Sequence, residues 1–145
     1  MKMIREYTAR GTIFPETTPS ERLTLFDGRF DTGYRVVKFS VTPQNVNSGN
    51  NAYGKLTTED DATSDPANWD WGSNIEIAWS GTYAVSDGIA GSRDFVDPDN
   101  LIVEDLYFYG VDSANDRVNY MIQLEKYDIT DWQGALGMVR NKSQG

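Results

Sequence analysis

The clearest pattern in the chain lies between Leu101 and Tyr127, where two runs rich in β-branched and aromatic residues flank a short polar break. In the second run every other residue is apolar: Val118, Tyr120, Ile122 and Leu124. Successive side chains of a strand point to opposite faces, so this alternation predicts a half-buried strand. The break at 112–116 is rich in Asp, Ser and Asn, which favour turns. The sequence therefore predicts an antiparallel β-hairpin over residues 101–127.

Strand-like stretches recur along the rest of the chain. Their approximate bounds are 3–14, with a break at Gly11, and 21–27, 34–42, 53–57, 75–80 and 82–86. Within 34–42, alternation directs Val37, Phe39 and Val41 inward. Strands do not alternate with helices along the chain, which argues against a parallel sheet. The pattern predicts an all-β fold, an antiparallel β-sandwich or jelly roll, in a single domain covering residues 1–145.

Three segments depart from the strand pattern. Residues 44–74 are polar and predict a long loop, which contains the short strand at 53–57 and a helical turn at 65–71. Residues 86–100 predict a second turn-rich link. Residues 131–141 predict a short C-terminal helix, because Thr130 and Gln133 form a capping box ahead of an apolar face.

Composition removes several classes of chemistry. The chain of 145 residues has no cysteine and no histidine, and its formal net charge is −9. The missing residue types exclude thiol nucleophiles, disulfides, histidine bases and zinc clusters. An acidic surface repels phosphate backbones, so we expect no broad nucleic-acid surface. We also expect no membrane span and no secretory signal, hence synthesis in a cytoplasm.

Carboxylates are the remaining chemical candidates. A glycosidase needs two of them at a defined separation, which the sequence does not show, so we expect no enzymatic activity. Asp97, Asp99 and Asn100 offer hard oxygen ligands in a short run, as do residues 59–61, and such runs suit calcium. Neither run follows the EF-hand pattern, and Asp and Asn are also ordinary turn residues. A structural calcium ion at residues 97–100 is one prediction, and no other cofactor is expected.

An aromatic group lies in and beside the long loop. Tyr53, Trp69 and Trp71 form a candidate ligand platform, to which Trp79 and Tyr83 add further rings. Such rings can stack on a sugar or contact a partner protein. The alternative is that they cap the core from the loop and contribute burial. Exposed tryptophans would favour the first interpretation, and buried ones the second.

Both ends of the chain are basic, although the whole chain is acidic. Residues 1–10 carry Lys2, Arg5 and Arg10 against Glu6, a net charge of +2. The pattern suits docking on a neighbouring acidic subunit, and the alternative is helix-dipole complementarity at the C-terminal end. The predicted interface residues of a homo-oligomer are Met1, Met3, Ile4, Met138, Arg140 and Lys142.

Three strings of the sequence resemble small proteins of unassigned function from uncultured marine bacteriophages. The strings are RLTLFDGRFDTGYRV at 22–36, DPDNLIVEDLY at 97–107 and NYMIQLEKYDITDWQGALGMVRNKSQ at 119–144. The resemblance implies a phage source and a place in the virion after synthesis in the host cytoplasm. The expected function is a virion structural protein that contacts itself and other virion proteins, either a capsid decoration or cement protein or a small jelly-roll coat or head-fibre component. The alternative is a carbohydrate-binding module of a tail or fibre, which would bind glycans through the candidate platform.

Overall fold

A computed structural model describes residues 2–25, 28, 31–47, 49–60, 65–85 and 88–128. It contains eight strands: β1 (Lys2–Ile13), β2 (Ser20–Leu23), β3 (Thr32–Pro43), β4 (Asn51–Thr57), β5 (Glu76–Val85), β6 (Gly88–Val96), β7 (Leu106–Asp112) and β8 (Val118–Asp128). The described residues include no helix, so the helical turn predicted at 65–71 is wrong, and this segment forms two tight turns. The helix predicted at 131–141 lies outside the described residues.

The strands form two antiparallel sheets, which confirms the all-β prediction and is consistent with a β-sandwich. The three-stranded sheet has the order β1-β8-β3, and the five-stranded sheet has the order β2-β7-β4-β5-β6. Apolar side chains of both sheets fill the space between them, led by Phe39, Phe108, Leu56, Ile77 and Ile122. The rings of Phe39 and Phe108 meet edge to face with centroids 5.9 Å apart, so the two sheets share one core.

The hairpin predicted over 101–127 is wrong, although the strand pattern within it is right. Alternate residues of β8 are buried as expected, but β8 pairs with β1 and β3, whereas β7 pairs with β2 and β4. The chain therefore crosses from one sheet to the other at residues 113–117. The Asp112 carboxylate accepts a hydrogen bond from the Ala114 N–H at 2.8 Å, and Asn115 has φ 57°. This turn chemistry suits a hairpin and a crossing equally, so local sequence does not distinguish them.

Two further differences come from strand continuity and register. The predicted strands 75–80 and 82–86 are one strand, β5, and the predicted link at 86–100 contains β6, whose residues are nearly all exposed. In β3, a bulge between Val36 and Lys38 shifts the alternation. Val36 is therefore buried and Val37 is 44% exposed, contrary to prediction, while Phe39 and Val41 point inward as expected.

The sequence suggested a break of the first strand at Gly11, but β1 is continuous there. Gly11 instead makes room for a tyrosine of the neighbouring strand. A Cβ at this position would lie 2.8 Å from the Tyr120 hydroxyl. That hydroxyl donates a hydrogen bond to the Glu21 carboxylate of β2 at 2.9 Å, which links the two sheets through the interior. Burial, followed by this hydrogen bond, raises the pKa of the Tyr120 hydroxyl, which further favours its protonated, donating form.

Side chains of the other sheet and of a nearby loop seal the free edge of β3. The Val41 N–H donates to Ser80 Oγ at 2.8 Å, and Thr82 Oγ1 donates to the Val41 carbonyl at 2.5 Å. Asn100, in the loop between β6 and β7, accepts from the Val36 N–H at 2.8 Å and donates to the Val36 carbonyl at 3.0 Å. These side chains replace a neighbouring strand, so buried backbone groups remain paired.

Replacing Asn100 by Ala should destabilise the protein by about 2–4 kcal/mol, because buried N–H and C=O groups of Val36 lose their partners. Replacing the exposed neighbour Asp99 by Ala should change the free energy of unfolding by no more than about 0.5 kcal/mol. Urea denaturation of both variants measures the difference. Equal, small effects would mean that water satisfies the edge of β3 without Asn100.

Candidate binding surfaces

A buried ion pair lies on the outer face of the five-stranded sheet. Lys55 Nζ is 3.0 Å from Glu76 Oε2, and the two side chains are only 4% and 8% exposed. A bulge in the pairing of β4 with β5 leaves Ile77 without a partner residue. The extra residue lets Ile77 join the core while Glu76 and Trp79 share the outer face. The charged pair therefore sits outside the apolar core, beneath the loop that precedes β5.

The ion pair holds this loop against the sheet. Lys55 Nζ also donates to the Asn68 carbonyl at 3.1 Å. Glu76 Oε1 accepts from the Asp70 N–H at 3.0 Å and from the Trp79 indole N–H at 2.9 Å. Each charge thus also binds the loop, Lys55 through the Asn68 carbonyl and Glu76 through the Asp70 N–H, and these bonds hold the segment that carries Trp69 and Trp71 at the sheet surface.

Aromatic rings from the loop and two strands form a cluster on this surface. Trp71 is 64% exposed, and its ring centroid lies 5.8 Å from that of Trp79 and 5.4 Å from that of Phe95. Trp69 is partly buried and lies 6.2 Å from Phe95. The rings are tilted or edge-on rather than coplanar. Trp71 is exposed, as expected for a ring that contacts a ligand or partner. Trp69 is partly buried, as expected for a ring that contributes burial.

A shallow groove of about 340 Å³ runs beside the cluster. Its lining residues are Tyr53, Trp69, Gly81, Thr82, Tyr83, Gly91, Ser92 and Arg93. Gly81 gives the groove a flat floor, because a Cβ there would lie 2.8 Å from the Tyr53 ring. The Trp69 indole N–H donates to the Pro66 carbonyl at 3.0 Å, so the ring contributes mainly its apolar surface. Tyr53 and Trp69 of the predicted platform thus line the groove, and Trp71 lies outside it.

Arg93 supplies a positive charge to the groove. It lies directly opposite Gly81 in the pairing of β5 with β6 and makes no ion pair with any described residue. The sequence pattern does not single out Arg93, because residues 86–100 predict a turn-rich link and not the strand β6. The available signal was the spacing of Gly91, Arg93 and Phe95, which alternate with the polar Ser92 and Asp94.

The outer edge of β1 is a second candidate surface. Among the described strands, β1 pairs only with β8, and residues 2–8 are exposed on both faces. The exposed apolar residues include Met3 at 45% and Ile4 at 55%, both of them predicted interface residues. Met1, Met138, Arg140 and Lys142 lie outside the described residues, so their place in an interface stays a prediction.

The acidic runs serve the fold in ways that the sequence did not indicate. Asn100 uses its carboxamide on β3 and on the Asp97 carbonyl, and the Asp97 carboxylate accepts from the Asp99 N–H at 3.0 Å. In the second run, Asp60 accepts from the Tyr109 hydroxyl at 2.7 Å, and Asp61 lies outside the described residues. Within the described part of the chain, no group of three or more His, Cys, Asp or Glu side chains could hold a metal ion. Calcium binding by Asp97, Asp99 and Asn100 stays a prediction.

Comparisons with known proteins do not assign a family to this chain. No family model matches this sequence, and no curated protein matches it significantly. Among the described residues, no helix is long and apolar enough to cross a membrane.

Replacing Glu76 by Ala should destabilise the protein by about 3–5 kcal/mol, because Lys55 is then left as a buried charge without its partner. Loss of the anchor should also change tryptophan fluorescence, since Trp69 and Trp71 are held by the same residue. The control is Glu59→Ala at an exposed site near the same loop, where we expect about 0.5 kcal/mol or less. Chemical denaturation followed by fluorescence measures both quantities, and similar values for the two variants would contradict an anchoring role.

Proposed function

We propose that this protein is a non-enzymatic virion structural protein that works through contacts between subunits. It acts as a capsid decoration or cement protein or as a small jelly-roll coat component. The observation that carries the proposal is the open edge of β1. The resemblance of three sequence strings to marine phage proteins supports a place in a phage virion. The proposed partners are further copies of the chain and other virion proteins.

The strand order supports a jelly-roll arrangement. In a jelly roll, a long antiparallel ribbon folds over itself, so the first strand pairs with the last, the second with the next to last, and so on inward. Here β1 pairs with β8, β2 with β7 and β4 with β5. β3 and β6 are also adjacent, because Ser40 Oγ donates to the Asp94 carboxylate at 3.0 Å. Jelly rolls occur in viral capsid and lectin domains, and the fold alone does not choose between these functions.

The β1 edge favours a structural role. An edge strand offers a row of unpaired N–H and C=O groups, and monomeric proteins commonly shorten, bend or cover such edges. β1 extends over Lys2–Ile13 and has a single bulge near its start. The edge strands of the five-stranded sheet are shorter, since β2 covers Ser20–Leu23 and β6 covers Gly88–Val96. A long, regular edge fits a subunit that pairs with a neighbour.

Purified particles of the encoding phage should contain the protein in a fixed, high copy number. Quantitative mass spectrometry of gradient-purified particles measures this ratio to the major capsid protein, with a phage replication enzyme as the control for carry-over. A ratio no higher than that of the replication enzyme would overturn the virion assignment.

A second candidate function is glycan binding in the groove. Tyr53, Tyr83 and Trp69 offer apolar ring surfaces on which a pyranose can stack, while Thr82 and Ser92 supply hydroxyl groups. Arg93 adds a planar cationic donor that matches a carboxylate. These features support an acidic sugar, such as a uronic acid, as the ligand of a tail or fibre module.

The glycan proposal predicts binding of a polyuronate but weaker binding of a neutral polymer of similar length. Arg93→Gln should lower the affinity at least about tenfold, because a charged hydrogen bond is worth about 1.5–3 kcal/mol. Tyr83→Ala should weaken binding of both polymers, and Lys38→Gln, at an exposed position on the other sheet, is the control. Titration calorimetry measures these affinities. Absence of binding, or equal loss with Lys38→Gln, would remove this candidate.

A further inference from the structure

We propose that two copies of the chain pair antiparallel along the open edge of β1, about a twofold axis at Thr8, and so join their three-stranded sheets. The inference rests on the proposed function, which requires subunit contacts, and it names the contact and its register. Three observations carry it: the direction of the backbone groups of β1, the order of its charges and the sizes of its side chains.

The backbone direction follows from hydrogen bonds at the far edge of the same sheet. Val41 uses its N–H and C=O on Ser80 and Thr82, so these groups point away from β8. Val41 lies opposite Tyr120, and Tyr120 lies opposite Gly11 of β1. Antiparallel pairs alternate between hydrogen-bonded and non-hydrogen-bonded, so Tyr120 directs its backbone groups toward Gly11. By the same alternation, Glu6, Thr8, Arg10 and Thr12, which follow the bulge of β1, direct their N–H and C=O groups to the open edge.

The charges select one register among those that symmetry allows. A twofold axis normal to a continuous sheet places residues equally distant from the axis opposite each other. An axis at Thr8 sets Glu6 against the partner's Arg10, and Arg10 against the partner's Glu6. An axis at Glu6 or at Arg10 sets like charges together, and an axis at Tyr7 or Ala9 pairs neither charge with its opposite. Among axes at Glu6 through Arg10, which lie in the regular part of β1, the Thr8 axis alone is therefore complementary, and it also makes the even residues with outward-pointing backbone groups the hydrogen-bonded pairs.

Local features of the monomer support this register. Glu6 lies opposite Glu125 of β8, a like charge, so it gains from a cation on its open side. The Thr8 axis also sets Tyr7 against the partner's Ala9 and Arg5 against the partner's Gly11, which matches large side chains with small ones. Regular pairing of β1 begins at Arg5, directly after the bulge. Arg5 and Gly11 are each three residues from Thr8, so this pair of the proposed dimer still lies within the regular part of the strand.

Cysteine cross-linking tests the register directly, because the chain contains no cysteine. In a hydrogen-bonded antiparallel pair the two Cα atoms are about 5.5 Å apart, so Thr8→Cys should give a covalent dimer with a short bifunctional thiol reagent. Thr12→Cys is the matched control, since Thr12 is also exposed and lies on the same face of β1. In the proposed dimer it would be about 27 Å from the partner's Thr12. Equal cross-linking of the two variants, or none with Thr8→Cys, would overturn the register.

Charge reversal supplies an independent test. Glu6→Arg and Arg10→Glu each set like charges together and should raise the dimer dissociation constant at least about tenfold. The double variant restores opposite charges and should return the constant to within about threefold of the original. Analytical ultracentrifugation measures the constants, and unchanged circular dichroism verifies the fold. A double variant as weak as the single variants would contradict the proposed pairing.

Failure of this inference is separable from failure of the proposed function. Protein that is abundant in particles but does not cross-link at Thr8 retains a virion role and loses this interface. Protein that dimerises through Thr8 but is absent from particles retains the interface and loses the virion role.

Discussion

The architecture depends on one constraint, which is that the backbone of β3 must find hydrogen-bond partners inside the protein. β8 pairs with one edge, and at the other edge Ser80, Thr82 and Asn100 bind Val41 and Val36, while the Ile102 backbone pairs with Tyr34. These side chains come from β5 and from the loop after β6, so the same bonds fix how the two sheets meet. Because β3 is closed in this way, β1 is the edge at which the described part of the three-stranded sheet can be extended. The closed edge of β3 thereby directs strand pairing by another molecule at this sheet to β1.

On the outer face of the five-stranded sheet, a buried ion pair fixes the positions of aromatic rings at the surface. The Lys55–Glu76 pair contributes little to a hydrophobic core and fixes the position of a loop that lacks regular structure. A buried ion pair is weak support for stability on its own, but it specifies one conformation when all its hydrogen bonds are used. Here that conformation presents Trp69 beside a groove and leaves Trp71 exposed.

The sequence was informative wherever one face of a strand meets the core. The alternation in β8 is predictable because its inward residues are all apolar, and the inward positions of Phe39 and Val41 in β3 are predictable in the same way. Pairing was not predictable, because the turn after Asp112 has the same local chemistry in a hairpin and in a crossing between sheets. β6 was missed because nearly all its side chains are exposed, and Arg93 was missed with it. The role of Asn100 depends on Val36, far away in sequence, and no local pattern encodes that contact.

The position of β8 between β1 and β3 has a consequence for synthesis on the ribosome. β8 is the last of the described strands to be made, and it is the hydrogen-bonding partner of β1, the first of them. The three-stranded sheet therefore cannot close until the chain has been translated through Asp128. Until then β1 and β3 lack their shared neighbour, and nascent chains crowded on one message expose strands that can pair with each other. Chaperones that bind these early strands would therefore favour folding within one chain over pairing between nascent chains.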